Sequence, residues 1–356
     1  MKLALTADLH LTTRAEYPER FAALENILNQ MARSAISTLV IAGDLFDASS
    51  KNYAEFEEVC KRKEYREIEF LIIPGNHDSA ISGKQIVAPN VHIFSKPEIV
   101  QYHNKGPFFF FLPYIKNKTM GEFIAEKVLQ LPKGGWALVA HGDWLDGLRE
   151  VNPYENGLYM PLTRKDIDVF EPAWAFLGHI HAPSTKPPVY YMGSPCGLDI
   201  TETGLRRFLI FDTETGQVES CRVESRLLFF NETMTIVPVQ EDESLYVANK
   251  VKEIIQRWGV EPKDKTKVRL RFKVKGFSSD REELMRTLKV CFSGYIFYNS
   301  DGPDISEVST STDPDRNILA AAVRQQIEER DWPDSPDDPT RDDLLLAALE
   351  IIYGGK

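Results

Sequence analysis

Two histidines stand one residue apart in "FLGHIHAP", residues 176 to 183, in a chain that uses only seven. In an extended segment alternate side chains share a face, so His179 and His181 point the same way just past the apolar run "EPAWAFLG". Two imidazoles on one face beside a turn make half of a metal site. The other half must come from elsewhere, and the same signature recurs along the chain. Asp8 and His10 end "LALTADLH", Asp44 and Asp47 fall in "AGDLFD", Asn76, His77 and Asp78 in "PGNHD", and His141 in "VAHGD". Each segment is a short apolar run that finishes in Asp, Asn or His, and five of the seven histidines fall in these places.

Imidazole mixed with carboxylate and amide oxygen suits Mn, Fe or Zn better than Ca or Mg alone. Such a set exceeds one ion's needs and suits two ions that share a carboxylate. Paired ions about 3.5–4 Å apart are a recurrent device for hydrolysing phosphate esters, because they bind the phosphoryl oxygens and acidify a bridging water. A purely structural reading would leave ten polar residues at strand ends facing burial unpaired, which is costly.

The elements that must position these residues alternate. "KLALTAD", "TLVIAGD", "EFLIIPGNHD", "WALVAHGD" and "WAFLGHIHA" read as strands. A helix over Pro18 to Ser34 has Phe21, Leu24, Ile27, Leu28 and Met31 at helical spacing. Strand and helix in alternation predict an α/β domain with much parallel sheet, and active sites in such sheets lie beyond the carboxyl ends of the strands. Gly178 is read as a loosened backbone at a strand end. "PFFFFLPY" is a core strand, and His92 and His103 are structural. A helix over Lys51 to Glu69 carries "KRKEYREIE" on a solvated face. "RRFLIFDTETGQVESCRVES" is a hairpin turning at "TETG", after which helix, strand, helix and strand follow to about residue 310. A helical pair broken by "DWPDSPDDP" ends the chain, its starts at Asp313 and Thr340 marked by cap residues.

The ordered set Asp-x-His, Gly-Asp-x-x-Asp, Gly-Asn-His-Asp, His and Gly-His-x-His resembles the calcineurin-like metallophosphoesterase superfamily, and within it the SbcD-type DNA repair nucleases. The resemblance implies a four-layer α/β/β/α sandwich over residues 1–228 and a small α+β DNA-binding cap over 229–312; the helical segment over 313–356, rich in Ala and Leu, is read as a partner-docking element, with core-packing helices as the plainer reading. The resemblance also implies that one metal takes Asp8, His10 and His181, that the other takes Asn76, His141 and His179, and that Asp44 bridges both. His77 becomes the general acid for the leaving sugar oxygen, held by Asp78 or Asp47. Two divalent ions are implied, Mn²⁺ first, with Zn²⁺, Fe²⁺ and Mg²⁺ as alternatives. Gly193 and Ser194, in the segment after Gly-His-x-His, are placed near the site. Two departures stand out: Leu9 occupies a position where these nucleases often carry Trp, and the second motif ends in Asp47 where the archaeal and eukaryotic branch uses His. "GDLFDAS" and "GNHDSA" also lack the Arg and Glu of the protein serine/threonine phosphatases.

A second feature lies in the cap. In "KTKVRLRFKVK" the cations Lys265, Lys267, Arg269, Arg271, Lys273 and Lys275 alternate strictly with Thr266, Val268, Leu270, Phe272 and Val274. Read as one strand, it buries one face and aligns six cations about 6.6 Å apart on the other. A phosphate backbone is the natural counterpart, with an edge strand guarded by lysines as the plainer reading. The net charge of −11 does not exclude DNA. From Asp313 to Glu350 eleven acidic residues oppose four arginines, so that segment alone accounts for −7.

With 356 residues, 43% hydrophobic and 27% charged, the composition is that of a soluble globular enzyme. Neither a signal-peptide pattern nor an apolar run of membrane-spanning length occurs. Cys60, Cys196, Cys221 and Cys291 are scattered without a CxxC pair, which argues against a disulfide framework and points to the cytoplasm. The expected function is a metal-dependent DNA nuclease, 3′-to-5′ on duplex ends and endonucleolytic on single strands. The rivals are a phosphodiesterase or phosphatase for small phosphates and a non-enzymatic DNA-end scaffold. The resemblance further implies a homodimer and an SbcC-type coiled-coil ATPase partner, since the chain has no GxxxxGK[ST] loop of its own.

Overall fold

The motif-bearing strands are apolar on both faces, and their packing explains why. In the computed structural model, which describes residues 1–48, 52–101, 106–146, 157–238, 242–331 and 339–354, the chain divides into two units. The first comprises Met1–Gly197 with Arg206–Arg226, and the second Leu198–Leu205 with Leu227–Lys356. His103, Lys51 and residues 332–338 of "DWPDSPDDP" lie outside the described residues.

The first unit holds two six-stranded sheets. One runs Val218–Arg222, Arg207–Asp212, Lys2–Thr6, Thr38–Ala42, Glu69–Ile73, Val91–Ile93. The other runs Ser184–Lys186, Val189–Tyr191, Trp174–Gly178, Trp136–His141, Phe108–Leu112, Glu98–Gln101. The three strands Lys2–Thr6, Thr38–Ala42 and Glu69–Ile73 are parallel, as are Phe108–Leu112, Trp136–His141 and Trp174–Gly178. Period-two alternation then sorts each strand. Leu3, Leu5, Val40, Leu71 and Ile73 face the second sheet, where they meet Phe109, Phe111, Val139 and Phe176. Ala4, Leu39, Ile41 and Phe70 face outward onto Phe21, Leu24 and Ile27 of the helix Pro18–Arg33. On the far side Leu138, Ala140 and Leu177 pack on Met120 and Ile124 of the helix Met120–Lys127. Helix, sheet, sheet, helix is the α/β/β/α sandwich, with no outer strand face left to water over its centre. No described helix is long and apolar enough to cross a membrane.

The helix expected over 51–69 stops at Lys61. Arg62 leaves it with ψ 144, which brings Tyr65 and Ile68 back onto the core at 5% and 4% exposure. Most of "KRKEYREIE" is therefore turn, anchored by Tyr65 Oη donating to Asn29 Oδ1 at 2.9 Å and by Arg62 to Glu25 at 2.8 Å.

In the second unit Val268–Ser278 is a central strand, parallel to Leu228–Ile236 on one side and to Ile296–Phe297 and Asp304–Thr310 on the other. Val268, Leu270, Phe272 and Val274 pack beneath Val247 and Val251 of the helix Glu243–Arg257 and Leu284 and Leu288 of Arg281–Cys291. The helices Pro314–Glu329 and Arg341–Gly354 belong to this unit, and Ala320, Leu345 and Leu349 cluster there with Val237.

Gly178 is small for a reason other than looseness. A Cβ there would sit 2.1 Å from Ala42 O and 2.8 Å from His141 Nδ1, so its bare backbone is what lets the two sheets close at the strand ends. Gly178→Ala is expected to destabilise the first unit by about 1–3 kcal/mol, because the blocking atom is main chain and cannot step aside. Urea unfolding checks this, and an unchanged midpoint would refute the close-packing role.

Candidate metal centre

Each motif residue leaves the carboxyl end of a strand in the first unit, and sharp backbone geometry turns them toward one another. Asp8 (φ 54), His10 (φ 44), Asp44 (φ 48) and His179 (φ 90) all occupy left-handed backbone regions that residues with a Cβ rarely adopt. Gly43 (φ +89) precedes Asp44, and a Cβ on it would strike the His141 ring at 2.1 Å. The loops after the first two strands are laced together: Asp8 N donates to Gly43 O at 3.1 Å and His10 N to Asp44 O at 2.9 Å. Such strain persists only where surrounding bonds over-determine it, and it concentrates at functional sites.

The donors of these motifs converge. His10 Nε2 lies 3.1 Å from His181 Nε2, and carboxylate Asp8 joins these two within one compact donor group. Asn76 Oδ1 lies 2.8 Å from His141 Nε2 and 3.3 Å from His179 Nδ1. Between the two sets stands Asp44: its Oδ2 is 3.3 Å from His141 Nε2 and 3.7 Å from His10 Nε2. Asp8, His10, Asp44, His141 and His179 are each at most 2% exposed. His77 adjoins this core, its amide donating to Asp44 Oδ1 at 2.9 Å and its ring centroid 4.8 Å from that of His10.

Charge reinforces the geometry. Burial pushes the Asp8 carboxyl up to about 6, against the pull of His141 and His181. Burial takes the His10 imidazole down to about 3, which keeps its nitrogen lone pair available. For Asp44 burial acts upward too, but His141, His10 and His77 hold it below the usual carboxylate range. His141 is the counterpart: burial would lower it, yet Asp44 and Asp8 carry it up to about 10. The cluster thus demands positive charge at its centre, which a proton on His141 or a divalent cation supplies. His10 makes the same point. Its Nδ1 is buried with no hydrogen-bond partner among the described residues, while its Nε2 faces the other donors. The set of imidazole nitrogens, carboxylates and one amide oxygen fits divalent ions well.

The two carboxylates expected to hold His77 also have contacts elsewhere. Asp78 accepts from Gly75 N at 2.7 Å and from Phe46 N at 3.1 Å, so its carboxylate braces the loops that carry Asp44 and Asn76. Burial, with Asp44 close by, raises it to about 6. Asp47 lies 3.6 Å from Arg20 Nη1. Gly193 and Ser194 do reach the site: Ser194 N donates to His181 O at 3.1 Å, and a Cβ on Gly193 would sit 2.8 Å from that oxygen. His92 is exposed, its ring 4.3 Å from that of Phe94, away from the motifs.

The six-cation row is shorter and less bare than expected. Lys265 and Lys267 lie in the 3₁₀ turn Pro262–Lys267, so only Arg269, Arg271, Lys273 and Lys275 share the strand face. Lys267 pairs with Asp264 at 2.8 Å, and Lys273 and Lys275 both pair with Glu307, the latter at 3.5 Å. Like charges on one strand attract acids from the next, and Glu307 is the cross-strand partner of Lys275. Arg271 lies over the Tyr298 ring at 5.4 Å and Lys265 over Tyr295 at 5.3 Å.

Reading by motif missed three residues at the site. Asp143 is 4% exposed, lies 3.6 Å from His179 Nε2 and accepts from Tyr159 N at 2.7 Å; it stood in view in "AHGD". Arg20 and Arg206, both buried, donate to main-chain oxygens of His10 and His181. Arg20 had a visible signal, since it falls on the apolar stripe of its helix with Leu24 and Ile27.

No curated protein matches the chain. One solved structure aligns over 63% of this chain and 99% of its own, at 14% identity and a TM-score of 0.40. A second, described as a novel archaeal phosphodiesterase, aligns over 62% and 99%, at 13% identity and a TM-score of 0.34. The calcineurin-like phosphoesterase model matches residues 1–183, which include Asp8, His10, Asp44, Asn76, His77, His141, His179 and His181. The chain therefore belongs to the calcineurin-like phosphoesterase family and is a metal-dependent hydrolase of phosphoesters.

Proposed function

We propose that the protein is a DNA phosphodiesterase of the SbcD nuclease type, with two divalent ions, Mn²⁺ foremost, at the centre built around Asp44. The observation that carries the chemistry is the placement of Asp44 Oδ2 between the two donor sets, 3.3 Å from His141 Nε2 and 3.7 Å from His10 Nε2. Asp8, His10 and His181 would hold one ion, Asn76, His141 and His179 the other, with Asp44 common to both. When bound, such ions polarise phosphoryl oxygens and make water nucleophilic near neutral pH. The protein's own groups do the rest. Neutral Asn76 limits the negative charge facing an incoming phosphodiester. Asp78 holds the Asn76–His77 loop through the Gly75 and Phe46 amides. His77, beside Asp44, is in place to give its imidazole proton to the departing sugar oxygen.

Support for a polynucleotide substrate is the row Arg269, Arg271, Lys273 and Lys275 on one face of the second unit's sheet. Lys267, Lys273 and Lys275 pair with acids, which leaves Lys265, Arg269 and Arg271 as the cations of the row without a carboxylate partner among the described residues, enough for about three phosphate contacts. The corresponding slope of log affinity against log salt is about −3. The same pairing favours a second reading, a phosphodiesterase for small diesters that needs no extended basic surface. An SbcC-type ATPase partner, a homodimer and a cytoplasmic setting belong to the nuclease reading.

Two experiments test it. His77→Ala is expected to slow Mn²⁺-dependent DNA cleavage by about 10²–10⁴-fold while sparing bis-p-nitrophenyl phosphate, whose leaving group needs no proton. Equal losses on both substrates would remove His77 as the acid. Asp44→Asn should abolish turnover on both. Arg269→Gln with Arg271→Gln should raise KM for DNA and flatten its salt slope toward −1 while leaving the small diester unaffected. Unchanged DNA cleavage by that double variant would favour the small-diester reading.

A further inference from the structure

Behind the facing imidazoles of His10 and His181 sit two buried cations that belong to no motif. Arg20, on the first turn of its helix, is 6% exposed. Its Nη1 donates to the main-chain oxygen of His10 at 2.5 Å, its guanidinium lies over the Tyr17 ring at 4.1 Å, and Asp47 stands 3.6 Å away. Arg206, 2% exposed, donates from Nη1 to the main-chain oxygen of His181 at 3.0 Å and reaches Ser194 Oγ at 3.4 Å. Each of the two histidines whose Nε2 atoms meet is thus gripped from behind by a guanidinium, in a charge-assisted bond.

His10 depends on that grip. The His141 ring is set through Nδ1, which lies 2.9 Å from Ala42 O. The His10 ring has no such handle, because its Nδ1 lacks a hydrogen-bond partner among the described residues. Its Nε2 is therefore aimed through its main chain, which sits at φ 44 and is held on one side by its amide's bond to Asp44 O and on the other by Arg20.

We propose that Arg20 and Arg206 are positioning residues that aim His10 and His181 at one and the same divalent ion, with Asp47 acting through Arg20. This rests on the two-metal reading above and gives Asp47 a role that the motif left open. The sign of the effect separates positioning from charge. A guanidinium that acted only by its field would repel a nearby cation, so its removal would tighten metal binding. One that aims a ligand would loosen binding when lost, by about 10–100-fold, the usual cost of losing an outer partner of a metal ligand.

Mn²⁺ titration of the full-length chain by calorimetry, with electron paramagnetic resonance to register spin-coupled pairs, tests it. The wild type should bind two ions as a coupled pair. Arg20→Gln and Arg206→Gln should each hold one ion at wild-type affinity and the other about 10–100-fold more weakly, with an uncoupled signal where the wild type is coupled. Arg20→Lys, which keeps a donor for His10 O, should recover part of the loss, and Asp47→Asn should show a smaller loss at the same ion. Thermal unfolding identifies any variant that does not fold, and Arg20→Lys and Asp47→Asn then provide the readout. Wild-type affinities throughout, tighter binding, or equal weakening of both ions overturns the proposal alone. A wild type that takes up fewer than two ions overturns the two-metal reading and the proposal with it.

Discussion

One buried carboxylate organises the first unit's working edge. Asp44 is 1% exposed, and both its oxygens are committed, Oδ1 to the His77 amide and Oδ2 between His141 and His10. An isolated carboxylate at that depth costs several kcal/mol in lost hydration, so the fold holds it only by surrounding it with imidazoles. Those imidazoles arrive from strands of both sheets. The sandwich must close tightly enough for His141 of one sheet to reach Asp44 of the other, and bare backbone at Gly43 and Gly178 permits that approach. Core packing and site chemistry are therefore one problem, since apolar residues between the sheets set the spacing at which the polar ends meet.

The carboxylates around this centre separate by environment. Asp8 and Asp78 are as buried as Asp44 but have fewer imidazoles beside them, so burial dominates and both move up. Each also accepts main-chain amides, Asp8 from His179 and Asp78 from Gly75 and Phe46. These bonds hold loops whose residues occupy left-handed conformations. The strain at Asp8, His10, Asp44 and His179 is thus distributed over a net of hydrogen bonds that fixes donor positions. Preorganisation of this kind is what lets a site favour its cation over a rearranged, relaxed alternative.

In the second unit the same alternation yields a different surface. Val268–Ser278 buries its apolar side under two helices and leaves its cations on the opposite face of a wholly parallel sheet. Parallel sheets are ordinarily covered on both faces, and here the cation-bearing face is covered in part, with Phe277 stacked on Tyr353 of the helix Arg341–Gly354 at 4.1 Å. Its charges are moderated by Glu307 from the adjoining strand and by Tyr298 beneath Arg271, which softens repulsion within the row.

Local pattern was enough to locate much of this. A strand buried on both faces must be apolar throughout, so polar residues that interrupt it mark its end, and this is why Asp8, Asp44, Asn76, His141 and His179 were legible as site residues. The helix Pro18–Arg33 was legible from its stripe, and alternation correctly assigned the two faces of Val268–Ser278. Pattern did not reveal that Arg62 turns the chain out of its helix to bury Tyr65, that Lys265 and Lys267 stop short of the strand, or that Glu307 answers Lys275 from across the sheet. Nor did it show that Asp78 grips amides, or that Arg20 and Arg206 stand behind the histidines. The physical reason is the same in each case. Periodicity and residue type report what a segment does with its own faces. Partners tens or hundreds of positions away are chosen by how the sheets pack, and only the folded chain brings them within bonding distance.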